Sequence, residues 1–202
     1  MKKLLIATTN PGKIGELRRL LGHLHFEIIS LSDIDPIPEP KEDGLTFEEN
    51  AEKKAVGYSV ASGLHAVADD SGLEVFSLDC RPGVFSARFA GLKANDSANN
   101  AKLLGLLEGM KGKERKARFR CAIAIADPHG NVLTTVSAEC CGRIETKPFG
   151  SNGFGYDPIF VPDGFDETFG MLSDKTKSGL SHRALAAKKL VDFLENNSGL
   201  VT

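Results

Sequence analysis

Two adjacent carboxylates, Asp69 and Asp70, lie between short apolar segments in Val67-Ala68-Asp69-Asp70-Ser71-Gly72-Leu73-Glu74-Val75. Neighbouring aspartates at the mouth of a buried strand repel each other and are costly to desolvate. A bound Mg²⁺ offsets both penalties, because hard cations take carboxylate oxygens. Metal chemistry is therefore one reading of this stretch. The other is a solvated Asx turn, since Asp-Ser-Gly is turn chemistry and Gly72 is free to take φ > 0. Ala66 to Ala68 and Leu73 to Leu78 read as strands on either side, so the pattern predicts strand, turn, strand.

Other residues along the chain suit the handling of anions. Leu4 to Thr8 reads as a buried strand and runs into Thr8-Thr9-Asn10-Pro11-Gly12-Lys13. Asn10 suits an N-cap and Pro11 the first helical position, and Ile14, Leu17 and Leu21 fall on one face of the helix that follows. The positive end of that helix, with Lys13 beside it, is a ready anion site. It is not a Walker A loop, because GxxxxGK[ST] is absent. Further on, Thr46-Phe47-Glu48-Glu49 reads as a capping box for a helix ending near Ser62, with Gly63 as its stop. Asn50 and Lys54 are four apart and share a face. That face is either solvated or offered to a phosphate.

Two later stretches add a ring and donors. In Gly150-Ser151-Asn152-Gly153-Phe154-Gly155-Tyr156-Asp157-Pro158 the glycines leave the backbone room for a ligand. Phe154 there either stacks on a nucleobase, worth ~1–3 kcal/mol, or packs inward. Ser181-His182-Arg183 opens the last helix, whose stripe is Ala184, Ala187, Val191 and Leu194. Basic residues at a helix start oppose the dipole, and a broken local rule suggests a functional demand. The alternative for His182 is an ordinary exposed surface residue.

Several elements must position these groups. A second strand is expected from Phe26 to Leu31, a tight connection at Arg81-Pro82-Gly83, and a helix from Ser97 to Leu107 capped by Asp96. Lys111 to Lys116 reads as a solvated charged loop. Ala117 to Ala126 and Val132 to Cys141 form a hairpin with a five-residue loop. Shorter strands follow at Gly142 to Glu145 and Ile159 to Val161, and Thr168 to Lys177 reads as irregular. Strands alternating with helices give an α/β fold.

Composition excludes several function classes. At 202 residues the chain fits one large domain or two lobes sharing a core. A net charge of −2 gives no general pull toward a nucleic-acid polymer or an anionic membrane, so phosphate affinity must be local. No run of the roughly 18 apolar residues needed to span a bilayer occurs. The start, Met1 to Ala7, has only about four apolar residues before Thr8, too short for a signal-peptide core. Cys80, Cys121, Cys140 and Cys141 form no CxxC pair and suit reduced thiols in a cytoplasmic protein.

Taken in order, these motifs make the chain resemble the inosine/xanthosine triphosphate pyrophosphatase family. The family's Ser/Thr-x-Asn-x-x-Lys start matches Thr8, Asn10 and Lys13, and its Gly-x-Thr-Phe-x-Glu-Asn-Ala segment matches Gly44 to Ala51, followed by Lys54. Ala68 to Leu73 matches without change. Pro82-Gly83, Ser86-Ala87-Arg88, Gly153 to Pro158 and Ser181-His182-Arg183 also match; Ser151-Asn152 departs from the common Thr-Gly. Weak singly, these motifs in the right order are specific, and they span essentially the whole chain as one domain; the resemblance implies a long mixed central sheet with two lobes forming a nucleotide cleft.

The resemblance implies Mg²⁺-dependent hydrolysis of ITP, dITP and XTP to the monophosphate and pyrophosphate. It implies Asp70 as metal ligand and acceptor of the water proton, Glu42 as the second metal carboxylate, and Asp69 as a supporting ligand or a group behind one. Thr8, Thr9, Asn10, Pro11, Gly12, Lys13, Lys54 and Ser71 would hold the triphosphate, with Lys177 as another matching lysine. Phe154, Gly155 and Tyr156 would line the base and Asp157 accept from its ring N–H. His182 and Arg183 would donate to its 6-oxygen. A homodimer is implied by family alone. The rivals are a Maf-like pyrophosphatase of other base specificity and a nucleotide sensor without turnover.

Overall fold

The computed structural model describes residues 2–197. In chain order the regular elements are β1 (Lys2–Ile6), α1 (Pro11–Leu21), β2 (Phe26–Ser30), α2 (Phe47–Ser62), β3 (His65–Val75) and β4 (Arg81–Pro82). They continue with α3 (Asp96–Leu106), β5 (Lys116–Ala126), β6 (Val132–Ile144), β7 (Phe160–Pro162), α4 (Asp174–Leu180) and α5 (His182–Asn196). The strands form one sheet in the order β2-β1-β3-β5-β6-β7, with β4 paired to β3. β1 is parallel to β2 and to β3, whereas β3/β4 and β6/β7 are antiparallel. The fold is α/β on a mixed sheet, as expected from the sequence.

The chain divides into two compact units. Unit 1 comprises Met1–Asp70, Cys121–Ala138 and Arg183–Thr202; unit 2 comprises Ser71–Arg120 and Glu139–His182. Unit 1 is held by Leu4, Ile6, Leu17, Leu21, Val67, Ile123 and Ile125 packed with Ala187, Leu190 and Leu194 of α5. Unit 2 has its own core of Leu73, Leu103, Phe119, Ile159, Phe160 and Phe169. Phe119 meets Phe160 edge-on with centroids 4.7 Å apart. Burying such side chains is worth roughly 1.5–3 kcal/mol each and fixes the strands that carry the polar groups.

The main departure from the sequence reading is at Asp69 to Gly72. No turn forms there; β3 runs straight through it. The turn propensity of Asp-Ser-Gly is overridden because both carboxylates gain buried partners and the flanking Val67, Ala68, Leu73 and Val75 are all core. The strand then stops at Val75, and Phe76–Leu78 is a 3₁₀ turn leading to the two-residue β4. Elsewhere, Asn95 rather than Asp96 caps α3, accepting from Ala98 N–H at 2.9 Å. β6 is continuous through Gly142, and the segment expected to be irregular contains α4, capped by Ser173.

The expected solvated loop before β5 contains a 3₁₀ turn whose Arg115 is buried. Its guanidinium donates to the carbonyls of Ile144, Leu107 and Glu145. The capping box at α2 is half formed. Thr46 accepts from Glu49 N–H, but Glu49 accepts from Leu45 N–H in place of Thr46.

Candidate active site

Because β3 stays extended, successive side chains leave opposite faces of the sheet. Asp69 and Asp70 therefore have separate surroundings. Asp69 is 0% exposed, and its Oδ2 receives Lys13 Nζ at 3.1 Å and Arg183 Nε at 3.1 Å. Both cations sit in the first turn of a helix, where the aligned peptide dipoles add positive potential. Asn10 caps α1 by accepting from Gly12 and Lys13 N–H, at 2.9 and 3.2 Å, which fixes Lys13. Arg183 also pairs through Nη1 with Glu16. Burial opposes ionisation of Asp69, but the charges of Lys13, Arg183 and Lys54 outweigh it and hold the carboxyl well below its usual range. Cys121 beside it is pushed up to about 12 by burial and by the Asp69 charge, so its thiol is inert.

Asp70 is 7% exposed and meets different groups. Lys54 Nζ lies 3.0 Å from its Oδ1, and Asn50 Nδ2 donates to its Oδ2 at 3.2 Å. The same Lys54 ammonium is 3.3 Å from Glu42 Oε2. Burial raises the Asp70 carboxyl above its ordinary value; Lys54 and Lys13 pull it down and Glu42 adds to the rise. Two carboxylates from separate segments thus converge on one cationic atom.

That donor set fits a divalent ion of the magnesium type, which is held by one or two carboxylates and completes its shell with water and phosphate oxygens. Among the described residues no group of three or more His, Cys, Asp or Glu forms a cage that would hold a metal unaided. Asp69 Oδ2 already carries an ammonium and a guanidinium, which suits this carboxylate to a supporting place beside the metal ligands.

Unit 2 holds an aromatic and lysine cluster. Asp157 Oδ2 accepts from Phe154 N–H at 2.8 Å and pairs with Lys177 Nζ at 2.6 Å. Lys177 lies 5.0 Å from the Phe154 ring centroid and 5.7 Å from that of Phe169. Gly153 has φ of +76°, and a Cβ there would fall 2.0 Å from Asp157 Oδ2, so the loop needs glycine on both counts. Gly155 N–H donates to Asp96 Oδ2 at 2.7 Å. His182 is buried and stacks on Phe119 with centroids 4.6 Å apart and planes 9° apart. Tyr156 is buried, and its hydroxyl donates to Ser86 O at 2.9 Å.

A family model described as the Ham1 family matches residues 4–193. The chain belongs to the Ham1 family. It is 47% identical to a dITP/XTP pyrophosphatase of Desulforamulus reducens over 192 residues, covering 95% of each chain. A HAM1 protein from Coxiella burnetii has a similar structure, with a TM-score of 0.87 at 36% identity, covering 97% of this chain and all of that one. The Staphylococcus aureus Ham1 protein aligns with a TM-score of 0.85 at 38% identity, over 96% of this chain and 99% of its own.

Against the expected site, the geometry separates the residues into two sets. In unit 1, Thr9, Asn10 and Pro11 are exposed at the start of α1, Thr8 and Gly12 are half-buried beside them, and Lys13, Lys54, Glu42, Asp69, Asp70 and Arg183 make the charged cluster. In unit 2, Phe154, Gly155, Asp157, Lys177 and His182 make the ring cluster, while Ser71 lies on β3. Three of these residues also have protein partners. Arg183 turns two of its nitrogens to Asp69 and Glu16. Asp157 spends Oδ2 on Lys177 and its own loop, and Tyr156 supports that loop from inside.

Sequence reading passed over Glu16, although its place three residues after Lys13 sets it on the same helix face. It read Asp96 only as a helix cap and passed over Phe119; both reach the site through tertiary packing, which leaves no local signal.

Proposed function

We propose that the chain hydrolyses deaminated purine nucleoside triphosphates (ITP, dITP and XTP) to the monophosphate and pyrophosphate, with Mg²⁺ as cofactor. The observation that carries this reading is the convergence of Asp70 and Glu42 on one cationic centre. Membership of the Ham1 family and the name of the Desulforamulus relative support it. Mg²⁺ bound by Glu42 and Asp70 would neutralise charge on the departing pyrophosphate.

The chain's own groups do the rest. The exposed turn from Thr8 to Gly12 presents the N–H groups of a helix start to the phosphates, with Lys13 and Lys54 adding charge. Asp70 accepts the proton of the water that attacks the α-phosphorus, and burial, which raises its proton affinity, suits it to that work. The P–O bond to the pyrophosphate breaks as the new one forms. In unit 2, Phe154 stacks on the base, and Lys177 and His182 donate to the purine 6-oxygen. Adenine offers an amino donor there, and a buried donor left unpaired costs about 1–3 kcal/mol. Arg183 acts through Asp69 and Glu16, holding the β3 end of the phosphate site.

Among the described residues no helix is long and apolar enough to cross a membrane, in keeping with work on the cytoplasmic nucleotide pool. A homodimer belongs to the same proposal and is checked by light scattering.

The test is a nucleotide panel with Mg²⁺, scoring monophosphate and pyrophosphate against orthophosphate. ITP and XTP should exceed ATP and GTP. Preference for thymidine triphosphate, or release of orthophosphate, overturns the reading.

A further inference from the structure

We propose that Asn50 is a positioning residue that ties the loop carrying Glu42 to the carboxylate of Asp70. The inference rests on the catalytic role given to Asp70. Asn50 is 1% exposed, and both ends of its amide are engaged. Its Oδ1 accepts from Gly44 N–H at 2.8 Å, and its Nδ2 donates to Asp70 Oδ2 at 3.2 Å. The sequence alone allowed Asn50 to meet a phosphate; the structure spends its amide on protein groups.

The arrangement closes a ring. Gly44 follows Glu42 by two residues. Glu42 reaches Lys54, and Lys54 holds the other oxygen of Asp70. Asn50 and Lys54 are four apart on α2, so a single helix face supplies both donors to Asp70. Rotation of the Asp70 carboxylate is thereby fixed at both oxygens, and the Glu42 loop is pinned to the same helix.

Only a side chain with a donor and an acceptor serves here. An aspartate at position 50 would offer acceptors alone, setting oxygen against oxygen at Asp70. Position 44 must lack a side chain, since a Cβ would lie 2.7 Å from Asn50 Oδ1 and 2.9 Å from Glu49 Cβ.

The experiment compares the wild type, Asn50→Asp and Gly44→Ala in three measurements: kcat and KM for ITP, Mn²⁺ affinity by calorimetry without nucleotide, and the thermal midpoint. Asn50→Asp should lower kcat on the order of 100-fold, the loss expected from a misplaced catalytic group, with KM unchanged. Its Mn²⁺ affinity should fall about 10-fold or more, as when a group supporting a metal ligand is lost. Gly44→Ala, which displaces the same amide from the loop side, should show the same pattern more weakly. It decides the matter if Asn50→Asp does not fold.

Wild-type kcat and Mn²⁺ affinity in folded variants overturn the proposal, as does a loss confined to the thermal midpoint. A raised KM with unchanged kcat would make Asn50 a phosphate ligand and also overturn it. Should the wild type hydrolyse no nucleotide, the proposed function fails, while the Mn²⁺ comparison still tests Asn50.

Discussion

Asp69 and Asp70 are joined by one peptide bond, yet the two faces of β3 treat them oppositely. On one face, Asp69 is sealed among Lys13, Arg183 and the helix starts that carry them, and is held ionised. On the other, Asp70 keeps a small opening, meets one ammonium and one amide, and binds its proton more tightly than usual. The first arrangement serves structure, because a buried charge flanked by opposite charges resists change. The second suits chemistry, because a carboxylate with raised proton affinity and an opening to solvent can take up a proton. Strand geometry alone produces the division of labour.

The comparison can be broken most sharply at Asp70. Asp70→Asn should lower kcat on the order of 10³-fold or more, within the range for a lost general base that also holds metal, while circular dichroism shows an intact fold. Turnover near the wild-type rate would show that the exposed face is not the reacting one.

Asp69→Asn should act first on stability. Removing one partner of a buried ionic cluster costs about 3–5 kcal/mol, read from the urea midpoint, and Arg183→Ala should cost a similar amount. Arg183→Ala should also reduce turnover of ITP and of residual ATP by the same factor; a selective loss on ITP would return Arg183 to base reading.

A smaller effect is expected in unit 2. Phe154→Ala should raise KM for ITP by a factor matching the ~1–3 kcal/mol of one stacked base, with kcat little changed.

The smallest effect concerns acid. The Asp69 carboxyl is depressed when folded, so its stabilisation is complete above the ordinary value of 3.8 and fades as pH falls below it toward the folded pKa. The wild type should therefore lose urea resistance below that pH more steeply than Asp69→Asn; equal slopes would mean that Asp69 is not the group responsible.

Local chemistry was legible and distant pairing was not. Asn10 and Pro11 open α1 as the sequence indicates, because a cap and its first turn lie within a few residues. Gly63 ends α2 in the left-handed conformation for the same reason. The Asp-Asp-Ser-Gly stretch misled because its turn signal is local, while the cations that let it stay extended come from residues 13, 54 and 183. Arg115 looked like one more charge in a charged loop, yet its carbonyl partners at 144 and 145 lie on β6 and just beyond it. The pairing of Asp96 with Gly155 spans 59 residues and leaves no trace in either segment. The family motifs named most of the charged cluster, but could not say which carboxylate faces which way.

Unit 1 is assembled from three separate stretches, and α5, the last of them, supplies both core side chains and Arg183. During synthesis, Asp69 leaves the ribosome more than a hundred residues before that partner exists. Until α5 docks, Lys13 is in place but the second cation on Asp69 Oδ2 is missing, and unit 1 lacks the core side chains of its last helix. Completion of the first unit must therefore wait for the final helix, and a shortened product would be left with an uncovered core in place of a half-working enzyme.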